Sequence, residues 1–182
     1  MDKKREAKMR AKNKVDAKLT NFDISFVLDA QGQEKYYFRQ ASNDKATFFE
    51  LRGRSREIDY ADFVKKKAYV LNADEKTGES FPMEPVEAFK GLAFHTAGHL
   101  LFMHAGEDLK KIGKEKVLGR DTTVFSQEYN DGEMKSWVDD EYGLALKYEM
   151  TGGASAKMYV TEFTVGGVAA EKLIDLNEYR IE

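Results

Sequence analysis

The sequence predicts an α+β protein: a large antiparallel sheet of about ten strands, with one helix before it and a helical insert near its middle. Three observations predict this. Over residues 22–71 and 114–165, short runs alternate apolar and polar residues with a period of two and are punctuated by turn signals. Between them, residues 84–105 are apolar on nearly every helical face. Residues 2–17 are rich in Lys, Arg, Ala and Glu and hold no Gly or Pro, a composition that favours helix.

The N-terminal helix has few apolar positions. Ala7, Ala11 and Val15 share one stripe, so it docks shallowly. From Leu19 the period becomes two: Phe22, Ile24, Phe26 and Leu28 mark a half-buried first strand. Gln31–Gln33 turns the chain into a second strand over 35–40, and Ser42–Asp44 leads to a third over 46–51. Arg52-Gly53-Arg54 turns into 57–60, and 68–71 follows. Residues 72–82 read as a polar loop. The insert begins with Pro85, suited to a first helical turn, and ends near Gly106. Strands then recur at 114–118, 122–129, 133–138, 144–150 and 156–165, with Asp131-Gly132 and Gly152-Gly153 as hairpin signals. A short tail holds Leu173, Leu176, Tyr179 and Ile181. A sheet of this size has to curl or close.

Composition narrows the function classes. The chain has 182 residues, enough for one domain with a single core. Hydrophobic residues make up 42% and aromatics 12%, which excludes global disorder. Mean hydropathy is −0.61, and no run of 18 apolar residues occurs. With no cysteine there is no disulfide scaffold, zinc–thiolate site or cysteine nucleophile. Net charge is −3, but residues 1–18 carry +5 and the remainder −8, so a basic arm precedes an acidic body. The basic start is not followed by the apolar stretch of a secretory signal. The domain reading is therefore an arm over 1–18 and a single domain over 19–182, with the insert at about 84–106.

No constellation points to catalysis. His95 and His99 share a helix face, but His104 lies about half a turn round and Thr96 stands where a zincin has Glu. No metal is expected there. Arg52, Arg54 and Arg56, with Tyr36, Tyr37, Phe48 and Phe49 close in sequence, have the residue types of a single-strand nucleic-acid site. The acidic body opposes that attraction, so a basic hairpin turn is expected and no nucleic-acid partner. The Gly pairs lack phosphate-loop spacing, and no serine sits in a Gly-x-Ser-x-Gly elbow. The expectation is a non-enzymatic protein without a cofactor.

The C-terminal half carries a resemblance. The segment Lys110 to Phe125, with its Gly113-Lys114-Glu115-Lys116-Val117-Leu118-Gly119 turn, is followed by Met134-Lys135-Ser136-Trp137-Val138-Asp139 and Tyr142-Gly143-Leu144-Ala145-Leu146-Lys147. The tail ends in Leu176-Asn177-Glu178-Tyr179-Arg180-Ile181. These phrases resemble the outer-membrane lipoprotein-sorting family, the LolA-like half-barrels, and neighbouring envelope lipoprotein families of unknown function. Ala145 stands where proline is usual, and the tail lacks the family's Pro and Gly. The resemblance covers about residues 107–182 and extends to the first half only as a strand pattern.

The resemblance implies an unclosed half-barrel with helices across its concave face and an apolar hollow that holds acyl chains or another hydrophobic ligand. It implies a periplasmic or envelope-anchored protein with lipid, a lipoprotein or an envelope protein as partner. A monomer is expected. The alternative is a structural or interaction module whose hollow is filled by its own core. Strand alternation and the apolar insert nominate Phe26, Trp137 and Tyr148 on the sheet, with Phe89, Phe94 and Leu101 on the insert, as the residues lining the hollow.

Overall fold

The computed structural model describes residues 19–84, 110–129, 132–152 and 155–182. Twelve strands form one sheet: β1 (Phe22–Ala30), β2 (Tyr36–Ser42), β3 (Ala46–Arg52), β4 (Arg56–Asp62), β5 (Lys67–Asn72), β6 (Thr77–Pro82), β7 (Lys110–Val117), β8 (Arg120–Tyr129), β9 (Gly132–Asp139), β10 (Ala145–Met150), β11 (Ala156–Val165) and β12 (Arg180–Ile181). Their spatial order is β12-β6-β5-β4-β3-β2-β1-β11-β10-β9-β8-β7. Every neighbouring pair is antiparallel except β12 beside β6. Two meanders, β1–β6 and β7–β11, thus meet where β1 pairs with β11, and the sheet stays unclosed.

The expected α+β class is corrected. Among the described residues there is no α-helix, only 3₁₀ turns at Ala170–Lys172 and Leu176–Glu178, so the described molecule is nearly all sheet. The helix expected over 2–17 and, apart from Glu84, the one expected over 84–106 lie outside the described residues. The strand count rises from about ten to twelve. Each of the ten alternating segments overlaps an observed strand; the additions are β6, inside the stretch read as a polar loop, and β12, in the tail. Local turn chemistry places the hairpins. Leu118 and Gly119 both adopt left-handed backbone, at φ 52° and 75°, the pair a tight primed hairpin turn requires between β7 and β8.

The core lies on both faces of the sheet. Residues paired across antiparallel strands share a face, and successive residues alternate. Phe22, Ile24 and Phe26 therefore face one way with Met158 and Val160 of β11, and they cluster with Leu19, Leu144 and Leu146. Ala41, Phe48, Tyr60 and Tyr69 form a row across β2–β5 on the opposite face. That row joins Ile58 and Leu71 and is covered by Val168, Ala170, Leu173, Ile174, Leu176, Tyr179 and Ile181. The tail is thus a strap. After Gly166 and Gly167, at φ 80° and 71°, it crosses from the centre of the sheet to its edge and ends as β12. Asn43 fixes its start by donating to the Val168 carbonyl at 3.1 Å and to Glu171 at 2.6 Å.

The strapped face is charged beside its apolar row. Glu50 is 2% exposed and accepts hydrogen bonds from Arg52, at 2.8 Å, and from Arg56. Burial alone raises its carboxyl pKa, but the two arginines outweigh that and hold it below the ordinary value. The carboxylate therefore contributes stability that is complete above the unfolded pKa of about 4.3 and is lost as pH falls through the lower folded pKa. Glu50→Gln should cost about 1–3 kcal/mol at neutral pH. Urea titrations across the acid range should show a shallower pH dependence in the variant than in the wild type; equal slopes would refute this.

Candidate functional site

The Phe26 face of β1–β3 carries a row of aromatic rings. Phe26 and Phe38 are directly paired across β1 and β2, and their rings stack at 4.7 Å between centroids and 7° between planes. Phe49 of β3 continues the row, 6.1 Å from Phe38 and tilted by 37°. Phe26 is buried, whereas Phe38, Phe49 and Leu51 are half-buried. Register makes this row: the phenylalanines are 11 to 12 residues apart in sequence, and only the hairpin pairing brings them side by side.

Farther toward β6 the same face holds Asp59, paired with Phe49 on one side and Val70 on the other. Burial, with Glu57 adding repulsion, pushes the Asp59 carboxyl pKa up. Val70 and Phe81, also on this face, are 52% and 44% exposed. The result is a face across β1–β6 on which the aromatic row and the Val70 and Phe81 side chains are separated by three exposed carboxylates, Glu57, Asp59 and Glu79. The aromatic part of this face excludes water from any apolar group laid against it.

The nominated residues divide as follows. Phe26 stands at one end of the aromatic row. Tyr148 is half-buried on the same face, paired with Met158, and its hydroxyl lies 3.8 Å from the Met150 sulfur. Trp137 is on the opposite face: it pairs with Lys147, while Tyr148 pairs with Ser136. Its indole N–H donates to Glu115 at 2.7 Å, and the Lys147 ammonium sits 4.0 Å from its ring centroid. Phe89, Phe94 and Leu101 lie outside the described residues, as do His95, His99 and His104. Among the described residues no cluster of His, Asp or Glu is arranged to hold a metal. The basic segment Arg52 to Arg56 is the β3–β4 hairpin, and its aromatic neighbours are split between faces, with Tyr37 beside Arg52 and Phe49 on the other side. The sequence nominates neither Phe38 nor Asp59, and Phe49 only as an aromatic near the basic turn. Their alternation was visible, but the register that gathers them was not.

No protein-family model matches this chain, and no curated protein matches it. Solved structures do share the fold. An uncharacterized conserved protein from Thermus thermophilus superposes with a TM-score of 0.56 at 10% identity, over 96% of this chain and 98% of that one. MucB in the Pseudomonas aeruginosa MucA/MucB complex superposes with a TM-score of 0.55 at 16% identity, over 96% of this chain and 62% of MucB. A second MucB structure gives 0.52 at 15% identity, over 93% of this chain and again 62% of that one. The chain thus spans less than two thirds of MucB, whose complex with MucA shows this fold in a protein that takes a protein partner. At these identities the likeness is one of fold: the unclosed sheet is an architecture shared with MucB and with the Thermus protein.

Proposed function

We propose that the chain is a non-catalytic binding domain of the cell envelope, LolA-like in kind, that receives an apolar ligand such as an acyl chain against the Phe26–Phe38–Phe49 face. The observation behind this reading is the row of three aromatic rings on one face of an unclosed sheet, with exposed Val70 and Phe81 farther along the same face. The fold shared with MucB and the sequence resemblance to lipoprotein-sorting half-barrels support it. A periplasmic or envelope-anchored location belongs to the same proposal. The MucA/MucB complex favours a second reading, in which this face engages another envelope protein in place of a lipid.

Titration with an environment-sensitive apolar fluorophore and with a long-chain fatty acid tests the first reading. Saturable binding is expected, and Phe49→Ala should weaken it by about tenfold, the value of one large apolar contact. Tyr37→Ala is the control, because Tyr37 is 51% exposed on the opposite face. Absence of saturable binding, or equal loss in both variants, would overturn the apolar-ligand reading and leave the protein-interaction module.

A further inference from the structure

Where the strap arches over the end of β4, it leaves a pocket of about 410 Å³. We propose that this pocket binds a primary alkylammonium group, whether the end of a lysine side chain presented by another protein or a free polyamine. The site is separate from the aromatic face and does not rest on the function proposed for it.

Tyr60 forms the floor. The residue is 4% exposed, and its hydroxyl makes no hydrogen bond among the described residues and is not sealed from solvent, so it is open to a partner in the pocket. Burial first, then the Asp62 and Glu171 carboxylates, push its pKa up to about 12. The phenol therefore stays neutral, in a negative field that favours a cation.

Three carboxylates line the walls, each with one oxygen already engaged. Asp62 Oδ1 accepts from the Val64 and Lys65 amides at 3.0 and 2.8 Å. Asp175 Oδ1 accepts from the Asn177 amide and side chain at 3.0 and 2.9 Å. Glu171 Oε2 accepts from Asn43 at 2.6 Å. The second oxygens are loosely served. Asp62 Oδ2 and Glu171 Oε1 lie 3.4 and 3.6 Å from the ammoniums of Lys65 and Lys45, whose side chains are 65% and 56% exposed. Asp175 Oδ2 has no partner among the described residues. Three acids against two exposed lysines leave the pocket acceptor-rich. Ile174, Leu176 and the 74% exposed Val64 supply an apolar wall for the methylenes behind the charge.

The test is an amide-shift titration of the purified protein with 1,5-diaminopentane and, separately, with Nα-acetyl-lysine amide. Saturable shifts at Val64, Lys65 and Glu171–Asn177 are expected, falling with salt. Asp175→Asn keeps the turn acceptor but removes the charge, and should weaken binding about threefold to fivefold, as for a screened ion pair. Tyr60→Phe should weaken it by a similar factor while preserving the ring contact with Tyr69. Tighter binding of the diamine assigns a free polyamine; tighter binding of the lysine amide assigns a protein side chain; both support the site. Equal shifts from 1-pentanol, saturation by inorganic phosphate in place of the amines, or wild-type affinity in Asp175→Asn would overturn it.

Discussion

Asp139→Ala should destabilise the fold by about 3–5 kcal/mol, the cost of stripping one partner from a buried ion pair. The Asp139 side chain is 1% exposed and ends β9. Its two oxygens receive the Arg120 guanidinium as a fork, at 2.6 and 3.2 Å. Oδ1 also accepts from the amides of Glu141 and Tyr142 at 3.1 and 2.7 Å, which shapes the β9–β10 turn. Arg120 is tied further to Glu141 at 2.8 Å and lies over the rings of Tyr142 and Phe163, 5.1 and 5.3 Å from their centroids. Removing the carboxylate therefore leaves the guanidinium with Glu141 as its sole described acid, takes away the fork, and leaves two turn amides unpaired. Asp139→Asn keeps an oxygen for the amides and loses only the charge, so its cost should be smaller. Equilibrium denaturation of both variants checks this, and a loss below about 1 kcal/mol for Asp139→Ala would show that water replaces the pair without penalty.

This corner also marks what was legible in the sequence. The turn at 139–143 and the strands on either side were readable, because alternation and Gly143, at φ 66°, are local signals. The partner was not, because Arg120 is 19 residues away and reaches Asp139 only through the β8–β9 register. The same limit applies to the candidate site. Alternation exposed Phe38 and Phe49 as strand residues but could not align them with Phe26. Nor could it place Trp137, whose face is fixed by the β9–β10 pairing and its irregularity near Ala145. β6 was missed for another reason: Thr77-Gly78-Glu79-Ser80-Phe81-Pro82 offers one large apolar residue, and its glycine reads as loop. Gly78 is required by close approach, since a Cβ there would stand 2.7 Å from the Val70 carbonyl oxygen. The strap left only scattered apolar positions, because an irregular segment has no period to detect.

Phe48→Ala should also cost about 3–5 kcal/mol, although Phe48 sits on a sheet face with no described α-helix above it. The strap makes this face interior. Phe48 is 2% exposed, flanked in register by Ala41 and Tyr60, and grouped with Leu71 beneath Val168, Leu173, Ile174, Leu176, Tyr179 and Ile181. Few backbone bonds hold the strap at its far end: Arg180 donates to the Lys76 carbonyl at 2.9 Å, Glu182 donates to Gly78 at 3.0 Å, and Ser80 donates to Glu182 at 3.1 Å. Between these bonds and those of Asn43 and Asn21 at its start, the strap lies on apolar contacts, so emptying the Phe48 position removes much of what holds its middle as well as one side chain. Tyr179→Ala, at the strap's outer end, should reproduce part of the loss. Val70→Ala supplies the contrast, because Val70 is 52% exposed on the other face of β5, two strands away, and its loss should stay below about 1 kcal/mol. Urea denaturation of the three variants measures the difference, and hydrogen exchange at the Arg180 and Glu182 amides reports whether the strap opens first. If Phe48→Ala and Val70→Ala cost the same, or if those amides keep their protection in Phe48→Ala, the strap is not the second layer of the core.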